Sequence, residues 1–434
     1  MRALAIAPQP FFTCRGTPLS VYYRTLITAE LGVEVDLLTY GEGEDVDIPG
    51  VNIIRIPRFK WLGPVKIGPS ALKLFLDVFV FFWAVGLLCR RRYQFVHAHE
   101  EAVFFCWLLK PLFRFQLVYD MHSSLPEQLS NFNFTRSKWL IGLFAWLEAR
   151  CLQAAEVTIT ICPSLDNYAQ RLANSQSLVM LIENSIFEGV RLSRLRAAGS
   201  NGCSLVRDRL KGERLVVYAG TLETYQGIDI LIRGFGLALA QDPALFLLVV
   251  GGTPAQVRQY AALAERCGAG DRVEFVGRVS PTEAKGYVQM AAVQMSPRVS
   301  GTNTPLKIYE QIAQDIPLVA TDIYSHTQVL DESVAFLVEP TPQGISEGVL
   351  SATRRPNAQA MCKVRNAKKL YERRYSRQIY KRKMRVVLER LGAVPRRLAV
   401  PARRLEERDR LVAASGKAGE TVGAATISSA RLED

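Results

Sequence analysis

Short apolar runs alternate with helix-like stretches along the first half of the chain. Arg2–Ala7 is followed by a Pro/Gly loop over Pro8–Pro18, a helical stretch over Ser20–Glu30 and a second apolar run over Val33–Thr39. Brief apolar runs bounded by turn residues predict buried strands, so this order opens a parallel α/β unit. Further strands are expected at Phe95–Ala98, Gln116–Tyr119, Val157–Ile161 and Leu178–Ile182, each ending in polar or small residues. That pattern suits a doubly wound sheet whose functional loops leave the strand C-termini. After a polar, basic stretch at Arg191–Gly212 the pattern restarts, with strands expected at Arg214–Ala219, Leu245–Val250, Arg272–Val276, Ala292–Ser296, Ile316–Thr321 and Val334–Val338. The fold class is therefore α/β, with two Rossmann-like domains facing across a cleft. The expected division is 1–190 for the first domain, 191–213 for a linker and 214–356 for the second domain. One long basic helix is expected over 357–391, with apolar positions at Met361, Val364, Tyr371, Tyr375, Ile379 and Val386, followed by a disordered tail over 392–434.

Charge changes this picture only locally. The 434 residues carry a net +13, but residues 354–434 hold 22 Lys and Arg against 8 Asp and Glu. Residues 1–353 then hold 32 against 33, so the basic excess belongs to the C-terminal helix and tail. Eight cysteines are scattered without a CxxC pair, which disfavours metal ribbons and disulfide scaffolds and fits a reducing compartment. In the most apolar stretch, Ala71–Cys89, the longest charge-free run is the 12 residues Val78–Cys89, short for a membrane span.

Three of the four histidines sit where chemistry is expected. His97 and His99 end one strand, and His122 ends the next in the run Tyr119-Asp-Met-His-Ser-Ser124. In a parallel sheet those ends share the ligand-binding edge. A hydrogen-bonded structural role accounts for any one of them, and a zinc site from His97, His99 and His122 lacks a further spaced ligand. The second signal is the loop Ser296-Pro-Arg-Val-Ser-Gly-Thr-Asn-Thr-Pro305 feeding the helical segment Leu306–Ala313. Free backbone N–H groups at that helix start, with Arg298 and Lys307, suit an anion, and Glu310 suits a ribose diol. A Lys–Glu pair on a solvated helix face is the plainer reading of the same spacing. Glycines at consecutive strand ends, Gly220 and then Gly251 and Gly252, allow close approach to the backbone. Neither loop has the spacing of a dinucleotide fingerprint or a P-loop, so dehydrogenase and ATPase readings fall away.

These elements together carry a resemblance. Gly220-Thr-Leu…Gln226-Gly-Ile-Asp, Val250-Gly-Gly, Val273-Glu-Phe-Val-Gly-Arg278, Ser296-Pro-Arg, Thr304-Pro-Leu-Lys-Ile-Tyr-Glu310 and Pro317-Leu-Val-Ala-Thr-Asp322 resemble the donor domain of retaining GT-B glycosyltransferases of family 4. Gly16-Thr17-Pro18 and the Tyr-Asp-Met-His-Ser-Ser run resemble the acceptor domain more loosely, and Asn357–Leu391 resembles the C-terminal helix that crosses back onto it. The resemblance implies a hexosyl-type, retaining, metal-independent transferase that uses a nucleotide sugar as co-substrate and no separate cofactor. It implies catalytic roles for His122 and Glu310. It places Gly16, Thr17, Gly220, Thr221, Gln226, Gly251, Gly252, Arg298, Thr302, Asn303, Thr304, Pro305, Leu306, Lys307 and Glu310 around the donor. Thr302 stands where the family has its first Glu, and Thr221 and Gln226 replace the usual Arg and Lys at the diphosphate. Arg298, Lys307 and the helix start at Thr304–Leu306 are expected to take over the phosphate charge.

Residues Arg55–Phe115 contain 10 Lys and Arg, 3 Asp and Glu and 14 aromatics. Core packing explains these apolar residues, and so does an interfacial segment with Lys66, Arg90, Arg91 and Arg92 beside it. The expected partners are a nucleotide-sugar donor, an acceptor that is a glycan, lipid-linked or small molecule, and an anionic membrane surface. Nucleic acid is not expected. The expected location is cytoplasmic and peripheral on the inner face of the membrane. An epimerase or phosphorylase on the same fold, or a non-catalytic basic binding protein, are the alternatives.

Overall fold

The computed structural model describes residues 1–13, 16–58, 63, 65, 70–124, 138–184, 210 and 212–395. The first sheet has seven parallel strands: β1 (Arg2–Ala7), β2 (Glu34–Thr39), β3 (Val51–Arg55), β4 (Phe95–His99), β5 (Gln116–Met121), β6 (Val157–Thr160) and β7 (Leu178–Leu181). Their spatial order is β3-β2-β1-β4-β5-β6-β7. Connections run through α1 (Gly16–Glu30), α2 (Ala71–Arg90), α3 (Ala102–Phe113), α4 (Lys138–Ala154) and α5 (Pro163–Leu172). The second sheet has six strands, β8 (Arg214–Ala219), β9 (Leu245–Val250), β10 (Val273–Gly277), β11 (Val293–Ser296), β12 (Leu318–Thr321) and β13 (Phe336–Val338). They are ordered β10-β9-β8-β11-β12-β13. Its helices are α6 (Ile228–Leu239), α7 (Pro254–Arg266), α8 (Pro281–Val288), α9 (Leu306–Gln311), α10 (Tyr324–Thr327) and α11 (Pro342–Thr353). Both strand orders reverse next to the first strand, and that reversal opens a crevice at the strand C-termini.

A sheet covered on both faces buries its central strands completely, and β4, β9 and β11 are buried along their whole length, the polar His97, His99, Gln294 and Ser296 included. The β3 strand, Val-Asn-Ile-Ile-Arg, was not among the expected strands. It is a half-buried edge whose apolar run is broken by Asn52, so it lacks a clean period. The α1 helix starts at Gly16, inside the stretch expected to be loop. Pro18 fits its first turn, where a missing N–H costs nothing.

The long C-terminal helix is two helices, α12 (Ala358–Arg374) and α13 (Arg377–Arg390), broken at Tyr375–Ser376 where Ser376 is extended. The break falls where the chain changes domain. Ala367 and Tyr375 pack with Ile308, Tyr309 and Ile312 of the second domain. Tyr380, Met384, Val387, Leu388 and Leu391 join the core beneath β1 and α1 of the first. Burying those five side chains contributes on the order of 10 kcal/mol before the entropy of ordering the helix. Lys381 pairs with Glu30 at 2.8 Å and Lys383 with Glu183 at 2.9 Å, so part of the helix's positive charge is neutralised within the protein. Residues 393 and 394 also pack in that core. The expected tail from 396 onward and most of the expected linker lie outside the described residues.

Candidate active site

On the first-domain side, β4 and β5 pair with His99 opposite Asp120. Alternate residues of a strand share a face, so His97, His99 and Asp120 all point toward α1 and α13. Asp120 is fully buried and forms the hub of the cluster. Arg24 of α1 donates from Nε to its Oδ2 at 2.9 Å, and His97 Nε2 lies 3.0 Å from the same oxygen. His122 Nε2 is 3.4 Å from Oδ1 and 3.5 Å from His99 Nδ1. Arg24 is itself fully buried. It donates to the Tyr380 hydroxyl of α13 and, at 2.7 Å, to the carbonyl of Ile182.

Burial alone would raise the Asp120 pKa, yet the Arg24 guanidinium holds that carboxyl well below its usual range. Burial also pushes His122 down to about 4 and His99 well below the ordinary histidine value. The imidazole of His122 is therefore neutral at physiological pH, oriented by a permanent carboxylate. The ligand atoms of His97, His99 and Asp120 lie within 4.8 Å of one another, close enough to share a metal ion. Arg24 already occupies the same carboxylate oxygen, so an ion there would face a fixed positive charge.

On the second-domain side, Lys307 leaves the first turn of α9. Its ammonium stands 4.4 Å from the centroid of the Tyr218 ring at the end of β8. It donates to Gln226 Oε1 at 3.4 Å. Burial, with Arg298 adding repulsion, pulls its pKa to about 7. Arg298 lies over the Tyr225 ring, donates to the carbonyl of Ser300 and, at 3.3 Å, to that of Asn303. The loop is thus wrapped around its own arginine. Gly301, at φ +121°, permits the wrap, because a Cβ there would lie 2.0 Å from the guanidinium. Burial lowers the Arg298 pKa and raises that of half-buried Glu310, one turn beyond Lys307. Tyr218, Tyr225, Gln226, Arg298 and Lys307 therefore form a cluster in which two partly buried cations have no carboxylate partner among the described residues. A bound dianion would relieve both deficits.

The two sides touch. Asn303 Nδ2 donates to the carbonyl of His122 at 3.3 Å, and Gly16 at the start of α1 faces the Leu306 side chain of α9. Thr17 donates to Glu100 at 3.4 Å, at the end of β4. Thr302, exposed, accepts through its carbonyl from Gln328 at 2.6 Å. Pro305 occupies the cap position before α9 rather than its first turn, and Thr304 beside it is half-buried.

Other expected site residues lie differently. Gly251 at the end of β9 faces the neighbouring loop, where a Cβ would come 1.9 Å from Gly220 O, and Gly252 packs on Leu222. Thr221 is exposed and accepts from the Tyr218 hydroxyl through its carbonyl at 2.6 Å. Arg90 ends α2, and Arg91 and Arg92 follow it at the strand N-terminal edge, away from the cleft, where Arg91 pairs with Asp36 at 2.9 Å. Lys66 lies outside the described residues. The fourth histidine, His326, is structural: it sits 3.0 Å from Ser296 Oγ and 2.8 Å from the carbonyl of Thr321, and burial holds it at about 4.

Sequence reasoning did not single out Arg24, Tyr380, Tyr218 or Tyr225. Asp120 was readable from its i, i+2 spacing to His122. Arg24 and Tyr380 are 356 positions apart, and no local pattern joins them.

Residues 206–369 match the family model described as glycosyl transferases group 1, and residues 27–185 match the glycosyl transferase 4-like domain. No curated protein sequence matches the chain. Among solved structures, sucrose-phosphate synthase from Thermosynechococcus elongatus is 20% identical and superposes with a TM-score of 0.68, covering 90% of this chain and 99% of that one. HepE of Anabaena in complex with UDP is 15% identical with a TM-score of 0.66, covering 90% and 100%. WaaG, a glycosyltransferase involved in lipopolysaccharide biosynthesis, is 15% identical with a TM-score of 0.60, covering 89% and 99%. At these identities the likeness establishes the fold, which is GT-B.

Proposed function

The chain belongs to the glycosyl transferases group 1, with a glycosyl transferase 4-like domain ahead of the matched segment, and on that premise we propose that it moves a hexose-type sugar from a nucleoside diphosphate to an acceptor with retention of anomeric configuration. The observation that carries the reading is the pair Arg298 and Lys307 beside the cleft, which has no carboxylate partner among the described residues, with the neutral His122 joined to the same loop through Asn303. Breaking the anomeric bond places developing positive charge on the sugar and negative charge on the departing diphosphate, so preorganised donors at the phosphates are the main requirement. Lys307, Arg298 and the α1 start near Gly16 and Thr17 supply them in this reading. Glu310 binds the ribose, and His122 sits at the transferred sugar.

Retention follows if the acceptor enters on the face the diphosphate leaves, with a phosphate oxygen taking the acceptor proton. That route needs no paired carboxylates, in contrast to glycoside hydrolysis. Uridine is the first base to try, because HepE is recorded with UDP and with UDP-glucose. The acceptor is read as a lipid-linked or membrane-proximal glycan, and the working location as the cytoplasmic face of a membrane.

Release of nucleotide from UDP-, GDP-, ADP- and TDP-sugars in the absence of acceptor, by slow transfer to water, tests the chemistry without knowledge of the acceptor. At least one donor should turn over, and His122→Ala should slow release by about a hundredfold. A folded wild-type protein that releases nucleotide from none of them contradicts the reading, and an unchanged His122→Ala rate removes that residue from catalysis.

A further inference from the structure

Helices α2, α3 and α4 lie side by side on the first sheet, on the face opposite α1 and α13. Ring contacts join them, Phe81 to Phe105, Phe104 to Phe144 and Trp107 to Trp146. A surface helix ordinarily shows an apolar stripe to the core and a polar one to water. The α2 helix is apolar on both. Leu76, Val80, Ala84 and Leu88 face the sheet, while Leu74, Phe75, Val78, Phe82 and Trp83 are exposed. Leu108 and Leu112 continue the outward face on α3, and Trp139, Leu143 and Trp146 continue it on α4. Among the described residues, ten of the sixteen large apolar side chains exposed to solvent belong to these three helices.

Charge on this face has one sign. The only carboxylates within the three helices are Asp77, bonded by the Tyr40 hydroxyl, and the buried Glu148. At the helix C-terminal ends stand the exposed Arg90, Arg92, Arg114 and Arg150, which crossover topology places along one edge of the sheet. The exposed apolar residues of α2 begin at the other end, beside the cleft.

We propose that the outer face of α2, α3 and α4 is seated in the surface of an anionic lipid bilayer, its apolar side chains among the acyl chains and its arginine edge on the headgroup phosphates. The inference deepens the proposed function, since its purpose rests on a membrane-bound acceptor reaching the cleft-side end of α2. By length and composition α2 could cross a membrane. Its inner stripe is packed into the sheet, so it lies along the surface instead. A second copy of the chain fits less well, because two-fold pairing of this face would bring like-charged arginine edges into one interface, whereas anionic headgroups complement them.

The test is flotation of the full-length protein with phosphatidylcholine vesicles, with and without phosphatidylglycerol. The partner variant combines Leu74→Ser, Phe82→Ser, Leu112→Ser and Trp139→Ser, all at side chains 62–75% exposed, which packing does not need. Wild type should float with the anionic vesicles and the variant should lose about tenfold or more in partitioning. Wild-type tryptophan emission should shift to the blue on binding. The variant keeps every basic residue, so its loss identifies the apolar face rather than the charge. Nucleotide-induced thermal stabilisation of both proteins reports the donor site independently: a failed vesicle assay with intact stabilisation sinks the interface alone, and the reverse result sinks the enzymatic reading alone. Equal partitioning of variant and wild type, or a stable wild-type dimer that ignores vesicles, overturns the proposal.

Discussion

Lys307 is the residue on which donor binding should turn most visibly. Its ammonium is held at about 7 in the free protein, with no carboxylate partner among the described residues. A diphosphate beside it restores the preference for the charged form, so above pH 7 binding must take up a proton. Nucleoside diphosphate affinity should then fall as pH rises from 7 to 9, by up to about tenfold per unit. Titration calorimetry in buffers of different ionisation enthalpy should detect the uptake. In Lys307→Ala the affinity should drop about tenfold or more and the proton uptake should vanish.

The buried histidines make a second prediction with the opposite pH sense. His122 and His326 are held near 4, whereas an unfolded histidine titrates near 6.5. Between those values the unfolded chain binds the extra protons, so their contribution is complete above about pH 6.5 and is lost as pH falls toward 4. Each is worth up to about 3 kcal/mol. Urea midpoints measured from pH 7 down to pH 5 should decline, and a flat profile would mean that these imidazoles are not buried neutral. The strand-end positions of His97, His99 and His122 were legible from apolar runs that stop at polar residues. Their shared dependence on Arg24 was not, because a side chain 96 positions away from Asp120 leaves no periodic trace.

Among the elements, the strands of both sheets were legible because parallel strands buried on two faces read as continuous apolar runs. The edge strand β3, with polar Asn52 and Arg55 among its five residues and only partial burial, was not. The C-terminal helix was legible as helix but not as two helices. Its apolar residues keep one period while the surface they cover changes from the second domain to the first. The α13 helix follows the second domain in sequence but belongs to the first domain's core, so shortening Met384 should weaken that distant sheet. Met384→Ala should cost about 2–5 kcal/mol. Hydrogen exchange should show the loss in β1 and α1 rather than in β8 and β9. Confinement of the effect to the second sheet would contradict the packing. The Gly251 and Gly252 loop shows a different kind of limit. The glycines were expected to make room for a ligand; in the structure a Cβ at Gly251 would meet the backbone of Gly220 and one at Gly252 the side chain of Leu222, so close packing of the neighbouring loop also requires them.

For the whole molecule, the two domains meet where Gly16 faces Leu306 and Asn303 reaches the carbonyl of His122, so the loop carrying Arg298 and the start of α9 lie against the first domain. The net +13 belongs to residues 354–434, where part of it pairs internally through Lys381 and Lys383, while the arginines at the edge of the apolar face lie in a segment that is balanced overall.

The central claim is that this cleft holds a nucleotide sugar through Lys307, Arg298 and Glu310. Thermal unfolding of the wild type and of Glu310→Ala, with UDP, GDP, ADP and TDP in turn, tests it most directly, because a ligand that binds only the folded state raises its melting temperature. One nucleotide should stabilise the wild type in a concentration-dependent way and stabilise Glu310→Ala far less. Stabilisation by none of the four, or equal stabilisation of the two proteins, would contradict the assignment.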